Sequence, residues 1–500
     1  MPGPWVIGED GKEFATVRIS KAVLDNFKSV RHGEITFNCG NSFVQAGTES
    51  DILGLYGQNG SGKSSLIEAL GILERLMGGG RLPDEYAECI AADADFAHLY
   101  FEFDFQYPDG RRLKVSYEAS IRAEKKPNDN RRKLDLRNML AHSIEASGLD
   151  IDDLHFPTSK YQVRVFDEVV KVGGLIDGKN RQFRSFIDTL DTSASPFGPT
   201  SRYADLFENT RQNREALVAN RILAAEKSQS FIFMDETMSV FSQERKNTSD
   251  YFTVLAELNL FARGYLYVVD SSFGASYSSD FMLPFFMRRG FAALEVGEPM
   301  TLPIEIVKEL KSSFGSVNEV LNELIPGLSV GVKEVGTTLL KDGVEGVSVE
   351  FVSQRDGLEF PLRDESDGIK KIISVLNLFV AAFNEKSVTV AIDEFDAGIF
   401  EYLLGEMLQM MEESGRGQFI FTSHNLRPLE VLSKKYVWFT TTNPDNRYYR
   451  MKNIGRNNNL RDVYFREIIM QEQDEQLYDS GKRFRIVSSL RRAGAHAVEA

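Results

Sequence analysis

One stretch near the N-terminus has the residue types and the spacing of a phosphate-binding loop. Residues 57–64 read GQNGSGKS, which fits the pattern G-x-x-x-x-G-K-[ST]. Glycines in such a loop let successive backbone N–H groups turn toward one anion. Lys63 can reach the β- and γ-phosphates, and the Ser64 hydroxyl can ligate magnesium. The candidate nucleotide-binding residues of this loop are Gly57, Asn59, Gly60, Ser61, Gly62, Lys63, Ser64 and Ser65.

The segments on either side of the loop are those that this chemistry requires. Residues 52–56 are a short apolar run typical of a buried strand, and an apolar pattern of helical period begins at Ser65. The positive end of that helix would face the phosphates. The alternative is a glycine-rich turn that matches by chance, and the strand and helix argue against it. The loop therefore predicts binding of a nucleoside triphosphate with Mg²⁺, without indicating how its energy is used.

A second apolar run, residues 388–392, ends in two carboxylates. This is the Walker B pattern, in which Asp393 would hold magnesium, directly or through water. Glu394 would orient and activate the attacking water, as the catalytic base. A similar pair at residues 235–236 also follows an apolar run and resembles an acidic strand end, but the downstream pair is the better candidate for the hydrolytic site.

Composition limits the class of protein. A 500-residue chain that is 42% hydrophobic can form two or three globular domains. The net charge of −15 does not by itself indicate nucleic-acid binding. Two cysteines, Cys39 and Cys89, argue against a disulfide framework or a cysteine-based zinc site and suit a reducing cytoplasm. We find neither a signal peptide nor a membrane span, so we expect a cytoplasmic protein without a membrane partner.

The order of motifs along the chain resembles that of ABC-type ATPase heads of the SMC and RecF kind. After the phosphate loop come Ser366-Asp367-Gly368, which resembles the ABC signature, then the acidic strand, then residues 395–398, which resemble the D-loop. Ser366 could also cap the helix that follows it. The next apolar strand ends in Ser-His-Asn at residues 423–425, where His424 matches the switch histidine that hydrogen-bonds the γ-phosphate. A lone histidine at a strand end is more often structural, but here it follows the acidic pair at the family's spacing.

Two motifs, Glu-Ser-Asp-Gly at residues 365–368 and Thr-Ser-His-Asn at residues 422–425, resemble those of the OLD-like, AAA-15 and AAA_21-like ATPases of bacterial anti-phage defence, such as that of the PARIS system. The compact insertion is a further point of resemblance. This resemblance implies an α/β fold: an ABC-type P-loop head with a mixed β-sheet core, an antiparallel β-subdomain and a compact helical or mixed insertion. No sustained heptads are present, so we expect no long coiled coil. The expected divisions are residues 1–121 and 363–440 for the two halves of the head, 122–362 for the insertion with part of the β-subdomain, and 441–500 for an extension.

The resemblance also implies site residues beyond these motifs. Lys28 and Ser29 match a Phe-Lys-Ser segment that lies close to the nucleotide in such heads, although without the phosphate loop a charged turn would be an equally good interpretation. The family also carries a glutamine that ligates magnesium. Gln106, Gln182 and Gln229 are the candidates, and the sequence does not choose among them.

Function and partners follow from the same resemblance. It implies head-to-tail dimers, or larger homo-oligomers of them, in which Ser366 and Gly368 contact the ATP of the other subunit. Such an ATPase is expected to act as a switch for a separate effector, a nuclease or TOPRIM-type protein. Only about sixty residues follow the core, without a Glu and Asp-x-Asp constellation, so we expect no nuclease site in this chain. The alternative is a RecF-like repair ATPase that clamps DNA through a basic run, namely Arg122, Lys125, Lys126, Arg131, Arg132, Lys133 and Arg137.

Overall fold

The computed structural model describes residues 14–37, 50–126, 160–190, 195–242, 249–270, 282–287, 290–295, 299–339, 345–355, 357–452, 454, 459–470, 473–478 and 483–496.

A six-stranded mixed sheet forms the centre of the molecule. Its strands are β3 (Asp51–Tyr56), β8 (Leu266–Val269), β15 (Thr389–Ile392), β16 (Gln418–Thr422), β17 (Val437–Thr440) and β18 (Tyr448–Tyr449). They lie in the order β18-β17-β3-β16-β15-β8, and all pairs are parallel except that of β17 with β18. Strands buried on both faces are expected to be mostly apolar, and these strands are apolar except at their ends, where residues such as Asp51 and Gln418 are polar. Alternate side chains enter two separate cores, so Leu53 packs on one face of β3 and Ile52 on the other.

A second sheet of six antiparallel strands is the β-subdomain. It consists of β1 (Thr16–Phe27), β2 (Val30–Thr36), β4 (Ala97–Gln106), β5 (Arg112–Lys125), β6 (Tyr161–Ile176) and β7 (Lys179–Asp188), in the order β2-β1-β4-β5-β6-β7. Every second residue of β4 is buried, which explains the alternation of its sequence. β4 and β5 form a hairpin through the turn at residues 107–110. Residues 16–27 form one strand, which has a bulge near Ile19.

Helices cover both faces of the central sheet. The helices described are α1 (Lys63–Met77), α2 (Tyr203–Leu206), α3 (Arg211–Lys227), α4 (Asp235–Phe241), α5 (Asp250–Gly264), α6 (Ile304–Leu324), α7 (Asp367–Asn384), α8 (Glu401–Ser414), α9 (Pro428–Val431), α10 (Leu460–Met470) and α11 (Arg483–His496). The longest has 21 residues, so the described part of the chain contains no long coiled coil. None of these helices has the length and apolar character needed to cross a bilayer.

The central part of the chain adds two smaller sheets. One contains β11 (Met300–Pro303), β12 (Leu328–Leu339), β13 (Glu345–Arg355) and β14 (Leu358–Pro361), and α6 packs against it. The other is the hairpin of β9 (Met282–Met287) and β10 (Gly290–Glu295). Together with the two six-stranded sheets, these elements confirm the predicted α/β fold with a mixed central sheet, an antiparallel β-subdomain and a mixed insertion.

Residues 122–362, the segment expected to be the insertion with part of the β-subdomain, contribute strands to both six-stranded sheets. The first boundary of this segment falls inside β5, and β6 and β7 complete the β-subdomain. β8 comes from the middle of the same segment and pairs with β15 in the central sheet. The acidic strand end expected at residues 235–236 is also absent from the described fold, because Asp235 begins α4 instead of ending a strand.

Candidate nucleotide-binding and hydrolysis site

The phosphate loop joins β3 to α1, as its sequence predicts. Gly62 has φ +89°, a left-handed conformation that favours glycine, and Lys63 is the first residue of α1. A Cβ on Gly57 would lie 1.8 Å from Thr440 Oγ1, so this position also requires glycine. The Ser61 hydroxyl bonds to Gln58 O and to the Thr440 hydroxyl. The loop is therefore held in shape from β17, a strand that sequence reasoning did not connect with it.

The Lys63 ammonium group lies across the loop. It donates hydrogen bonds to the carbonyl oxygens of Gly57, at 2.9 Å, and of Gln58, at 3.1 Å. Burial lowers the pKa of Lys63, against the opposing charges of Asp393, Glu394 and Asp396. Since β3 and β15 both pair in parallel with β16, their carboxyl ends lie at the same edge of the sheet, and the structure brings the phosphate loop and the acidic strand end together there. Segments some three hundred residues apart in sequence thus converge.

Asp393 and Glu394 follow β15 at the carboxyl edge of the central sheet. Asp393 is 1% exposed, whereas Glu394 is exposed and has φ +48°, an unusual conformation for a residue other than glycine. The side chain of Thr422, on the neighbouring strand β16, forms hydrogen bonds with both residues. The Thr422 hydroxyl donates to Asp393 Oδ1 at 2.5 Å and accepts the Glu394 N–H at 2.8 Å. The polar end of β16 thereby sets the positions of both acidic residues.

The switch loop, residues 423–425, is held by the D-loop, residues 395–398. Asp396 accepts the backbone N–H groups of His424, at 3.2 Å, and of Asn425, at 2.9 Å. His424 itself is exposed at the end of β16. The structure therefore places His424 next to the acidic pair on adjacent strands, with its backbone fixed by a residue that follows that pair.

The signature turn, residues 365–368, lies beside the D-loop. Ser366 caps α7 by accepting the Ile369 N–H at 3.4 Å, which confirms the predicted cap. Gly368 packs directly on the backbone of Gly398. Further along α7, burial lowers the pKa of Lys371 against the charges of the carboxylates of Asp393, Glu394 and Asp396. Lys371 was not among the predicted residues, and only its place in the helix after Gly368 could have suggested it.

Lys28 is engaged in an ion pair. Its ammonium group lies 2.5 Å from Glu68 Oε1, a carboxylate of the second turn of α1. Burial acts to lower the pKa of Lys28, but the hydrogen bond and charge of Glu68 outweigh it and the net shift is upward. Burial raises the pKa of Glu68, and Lys28 offsets this only in part. The Ser29 carbonyl accepts a hydrogen bond from Arg447. The turn between β1 and β2 thus contacts α1 through Glu68, and the role of Lys28 and Ser29 near a nucleotide stays a prediction.

The three candidate glutamines lie away from this edge of the sheet. Gln106 ends β4, Gln182 is in β7, and the Gln229 side chain donates to Gly79 O beyond the far end of α1. The residue that follows β8, beside β15, is Asp270, which is 9% exposed. Its strand was not predicted, because a four-residue apolar segment gives little periodicity to detect.

The oxygen donors at this edge fit a magnesium ion. Mg²⁺ usually takes one or two carboxylates and completes its octahedron with phosphate oxygens and water. Asp393 provides a buried carboxylate, and Ser64 in the first turn of α1 provides a hydroxyl. Within the described residues no cluster of three or more His, Cys, Asp or Glu side chains is arranged to hold a metal alone.

The basic run is only partly described, since residues 127–159, with Arg131, Arg132, Lys133 and Arg137, lie outside the described residues. Arg122 pairs with Glu124, and Lys126 pairs with Asp84 at 2.7 Å.

Of the two cysteines, Cys39 lies outside the described residues. Cys89 is a buried free thiol, and burial raises its pKa to about 12.

Comparison with known proteins assigns the family. The AAA_21 family, described as "AAA domain, putative AbiEii toxin, Type IV TA system", matches residues 52–430. The chain belongs to this family. The match includes the phosphate loop, the signature turn, the acidic pair and the switch loop of this AAA_21 chain. Among curated proteins none matches it. The resemblance to the PARIS-system ATPase in particular stays a prediction.

Several solved structures are similar to the AAA_21 chain at low sequence identity. An SMC head bound to the C-terminal winged-helix domain of ScpA is 11% identical, with a TM-score of 0.41, and the match covers 87% of this chain and 98% of that one. The SMC head domain from Thermotoga maritima is 13% identical, with a TM-score of 0.33, and the match covers 87% of this chain and 100% of that one. The recombination mediator RecF with ATP is 12% identical, with a TM-score of 0.34, and the match covers 88% of this chain and 100% of that one. The fold assignment rests on the strand order of the chain and not on these superpositions.

Proposed function

We propose that the protein binds MgATP and hydrolyses it. The observation that supports the proposal is the position of Lys63, after β3, and of Asp393 and Glu394, after β15, at one edge of the central sheet, where both strands flank β16. Lys63 and the loop N–H groups would bind the β- and γ-phosphates, where the ammonium group exchanges its loop carbonyls for phosphate oxygens. Ser64 and Asp393 would hold the magnesium ion, which neutralises charge on the phosphates when it is bound.

The water-activating role falls to Glu394. Its carboxylate is exposed at the site while its backbone is fixed by Thr422, so the side chain can face an attacking water with little reorganisation. His424 would donate to the γ-phosphate from the next strand. Asp396 accepts the His424 N–H and so holds the backbone of the switch loop. It would thereby fix the position of His424 relative to Glu394.

The active assembly that we propose is a head-to-tail dimer, in which Ser366 and Gly368 of one chain contact the γ-phosphate held by its partner. Two features support it. Ser366 is exposed at the start of α7, and a cavity of about 410 Å³ opens at Ser366, Gly368 and Gly398. Phe400, which follows the D-loop and borders that cavity, is 71% exposed, as expected of a side chain that a second subunit covers. ATP would close the pair, and hydrolysis would open it.

The biological role that we propose is a switch that controls a partner effector, a nuclease of TOPRIM type, in bacterial anti-phage defence. The family description, with its toxin of a type IV toxin–antitoxin system, is consistent with a defence role. Co-expression with the neighbouring gene product and a phage-plating assay test it. Protection that needs both genes and is lost with Lys63→Ala would support the switch, and protection by either gene alone would contradict it.

The RecF-like alternative, direct clamping of DNA, has less support. Two of the three described members of the basic run, Arg122 and Lys126, are ion-paired, and the whole chain carries a charge of −15. Binding of double-stranded DNA with ATP, measured across a salt series with and without residues 127–137, separates the two functions. A steep loss of affinity with salt that depends on those residues would favour the clamp.

The proposed ATPase activity is tested by phosphate release from the purified protein with MgATP. Turnover that Lys63→Ala abolishes is the expected result. An absence of nucleotide binding at millimolar MgATP would overturn the proposal.

A further inference from the structure

Behind the phosphate loop, the turn between β17 and β18 carries a buried arginine that sequence reasoning did not select. We infer that Arg447 is a positioning residue of the nucleotide site: it holds the Ser29 turn against the phosphate loop and places a buried positive charge beside the phosphates. The inference rests on the proposed binding of ATP, and it adds a residue to that site which none of the motifs contains.

The contacts of Arg447 tie three segments together. Its Nη1 donates to Thr441 O at 2.7 Å, within its own turn, and its Nη2 donates to Ser29 O, in the turn between β1 and β2. Its backbone N–H also donates to His32 O at 3.1 Å. A planar guanidinium with several donors can bridge two carbonyl groups in this way, whereas a lysine ammonium is a point donor on a flexible stem. Arg447 therefore fixes the Ser29 turn relative to β17.

The third segment is the phosphate loop itself. The aliphatic stem of Arg447 lies against Gly62, where a Cβ would come within 3.3 Å of Arg447 Cγ. Beside it, the hydroxyl of the buried Tyr448 donates to Gly62 O at 3.0 Å. Gly62 is the residue from which α1 starts, so Arg447 and Tyr448 together hold the N-terminus of the helix that faces the phosphates.

The charge of Arg447 is poorly compensated within the protein. The residue is 6% exposed, and its Nε is buried without a hydrogen-bond partner. Among the described residues it forms no ion pair with a carboxylate, and Asp445 stabilises its charge only from a greater distance. Burial lowers the pKa of the guanidinium accordingly. A buried charge paired only with neutral carbonyls is costly. An anionic ligand at the adjacent loop would offset that cost, and a triphosphate would do so most strongly.

The inference is tested with the full-length protein and fluorescent N-methylanthraniloyl-ATP. We expect Arg447→Gln to raise the dissociation constant about tenfold or more, since hydrogen bonds of a charged group are lost. Arg447→Lys keeps the charge but cannot bridge both carbonyls, so a smaller loss is expected. In the ATPase assay KM should rise while kcat at saturating ATP is unchanged, because Arg447 contacts neither acidic residue of the site. A purely structural role would not produce this split.

A matched control lies three residues away. Arg450 is also partly buried and also donates to a backbone carbonyl, that of Lys435, but its guanidinium lies over Trp438 and not at the phosphate loop. Arg450→Gln should bind the ATP analogue like the wild type. Thermal unfolding of each variant identifies any that does not fold, and if Arg447→Gln is such a case, Arg447→Lys carries the test.

Two results would overturn the inference. One is wild-type affinity for the analogue in folded Arg447→Gln, and the other is wild-type affinity in Arg447→Lys, which would contradict the positioning role. In both cases loss of binding in Lys63→Ala would show that the proposed function itself stands. If the wild type does not bind the analogue, the proposed function fails first.

Discussion

Gly368 of the signature turn and Gly398 of the D-loop pack backbone against backbone. A Cβ on Gly368 would lie 2.4 Å from the Gly398 carbonyl oxygen, and Gly398 has φ +77°. The turn proposed to contact the partner's γ-phosphate and the loop that follows Glu394 are therefore in direct contact within one chain. Neither can shift without moving the other.

Gly368→Ala should for this reason impair hydrolysis while leaving the fold intact. The added methyl group displaces the D-loop, and a misplacement of about 1 Å near the chemistry can cost about a hundredfold in rate. We expect ATP turnover to fall at least tenfold, measured by phosphate release. Gly315 in α6 is the control, because a Cβ there meets no atom within 4 Å. Gly315→Ala should keep normal turnover and gain about 0.5–1 kcal/mol in stability. Unchanged turnover in Gly368→Ala would contradict the role of this contact.

Thr422 offers a test of how the acidic pair is positioned. Thr422→Val removes the hydroxyl that bonds both Asp393 and the Glu394 N–H, and leaving such buried groups unpaired costs about 1–3 kcal/mol. Turnover should fall by tenfold or more. Thr422→Ser keeps the hydroxyl and should restore most of the activity. Thr442→Val, which removes an exposed hydroxyl bonded to Gln476 O, is the control. Equal activity of the Val and Ser variants at position 422 would disprove the bridging role.

Glu394→Gln should separate ATP binding from hydrolysis. Loss of a general base lowers a rate by about 10²–10⁴, whereas the amide keeps the size of the side chain. We expect the variant to retain ATP and to accumulate as a dimer, seen by light scattering after size exclusion. Glu413→Gln, at an exposed position of α8, should behave as the wild type. Hydrolysis at the normal rate by Glu394→Gln would show that another group is the base.

The pH dependence of the free energy of unfolding should reveal the raised pKa of Glu74 in α1. Burial raises the pKa of Glu74 to about 8, although the nearby Arg75 opposes the shift. Between the ordinary pKa of 4.5 and this value, the folded state binds more protons than the unfolded state, so stability falls as pH rises. The fall is at most about 1.4 kcal/mol per pH unit. Glu74→Gln should be the more stable protein at pH 8.5 in urea unfolding, and the two proteins should converge near pH 4. A constant difference across this range would refute the assignment.

The residues that sequence analysis located are those whose chemistry is local. The phosphate loop, the cap at Ser366 and the strand before Asp393 each follow from a few neighbouring residues, and their placement in the central sheet follows from apolar runs. By contrast, Thr440 and Arg447 act on the phosphate loop across nearly 400 residues of chain, through contacts that no periodicity reveals. The partner of Lys28 was missed for the same reason. In the sequence, Glu68 is an acidic residue in an otherwise apolar helix, and none of its neighbours identifies a cationic partner. Lys28 is recognised as that partner only when the turn between β1 and β2 is placed beside α1.

The position of β8 limits how this protein can be dissected or rebuilt. Excising residues 122–362 as if they were a removable module would take β8 with them and leave β15 as an unprotected sheet margin, open to adventitious pairing. The Asp393 N–H, which donates to Val269 O, would lose its acceptor as well. A protein assembled only from residues 1–121 and 363–500 should therefore need a replacement strand beside β15 before it can be soluble and bind ATP.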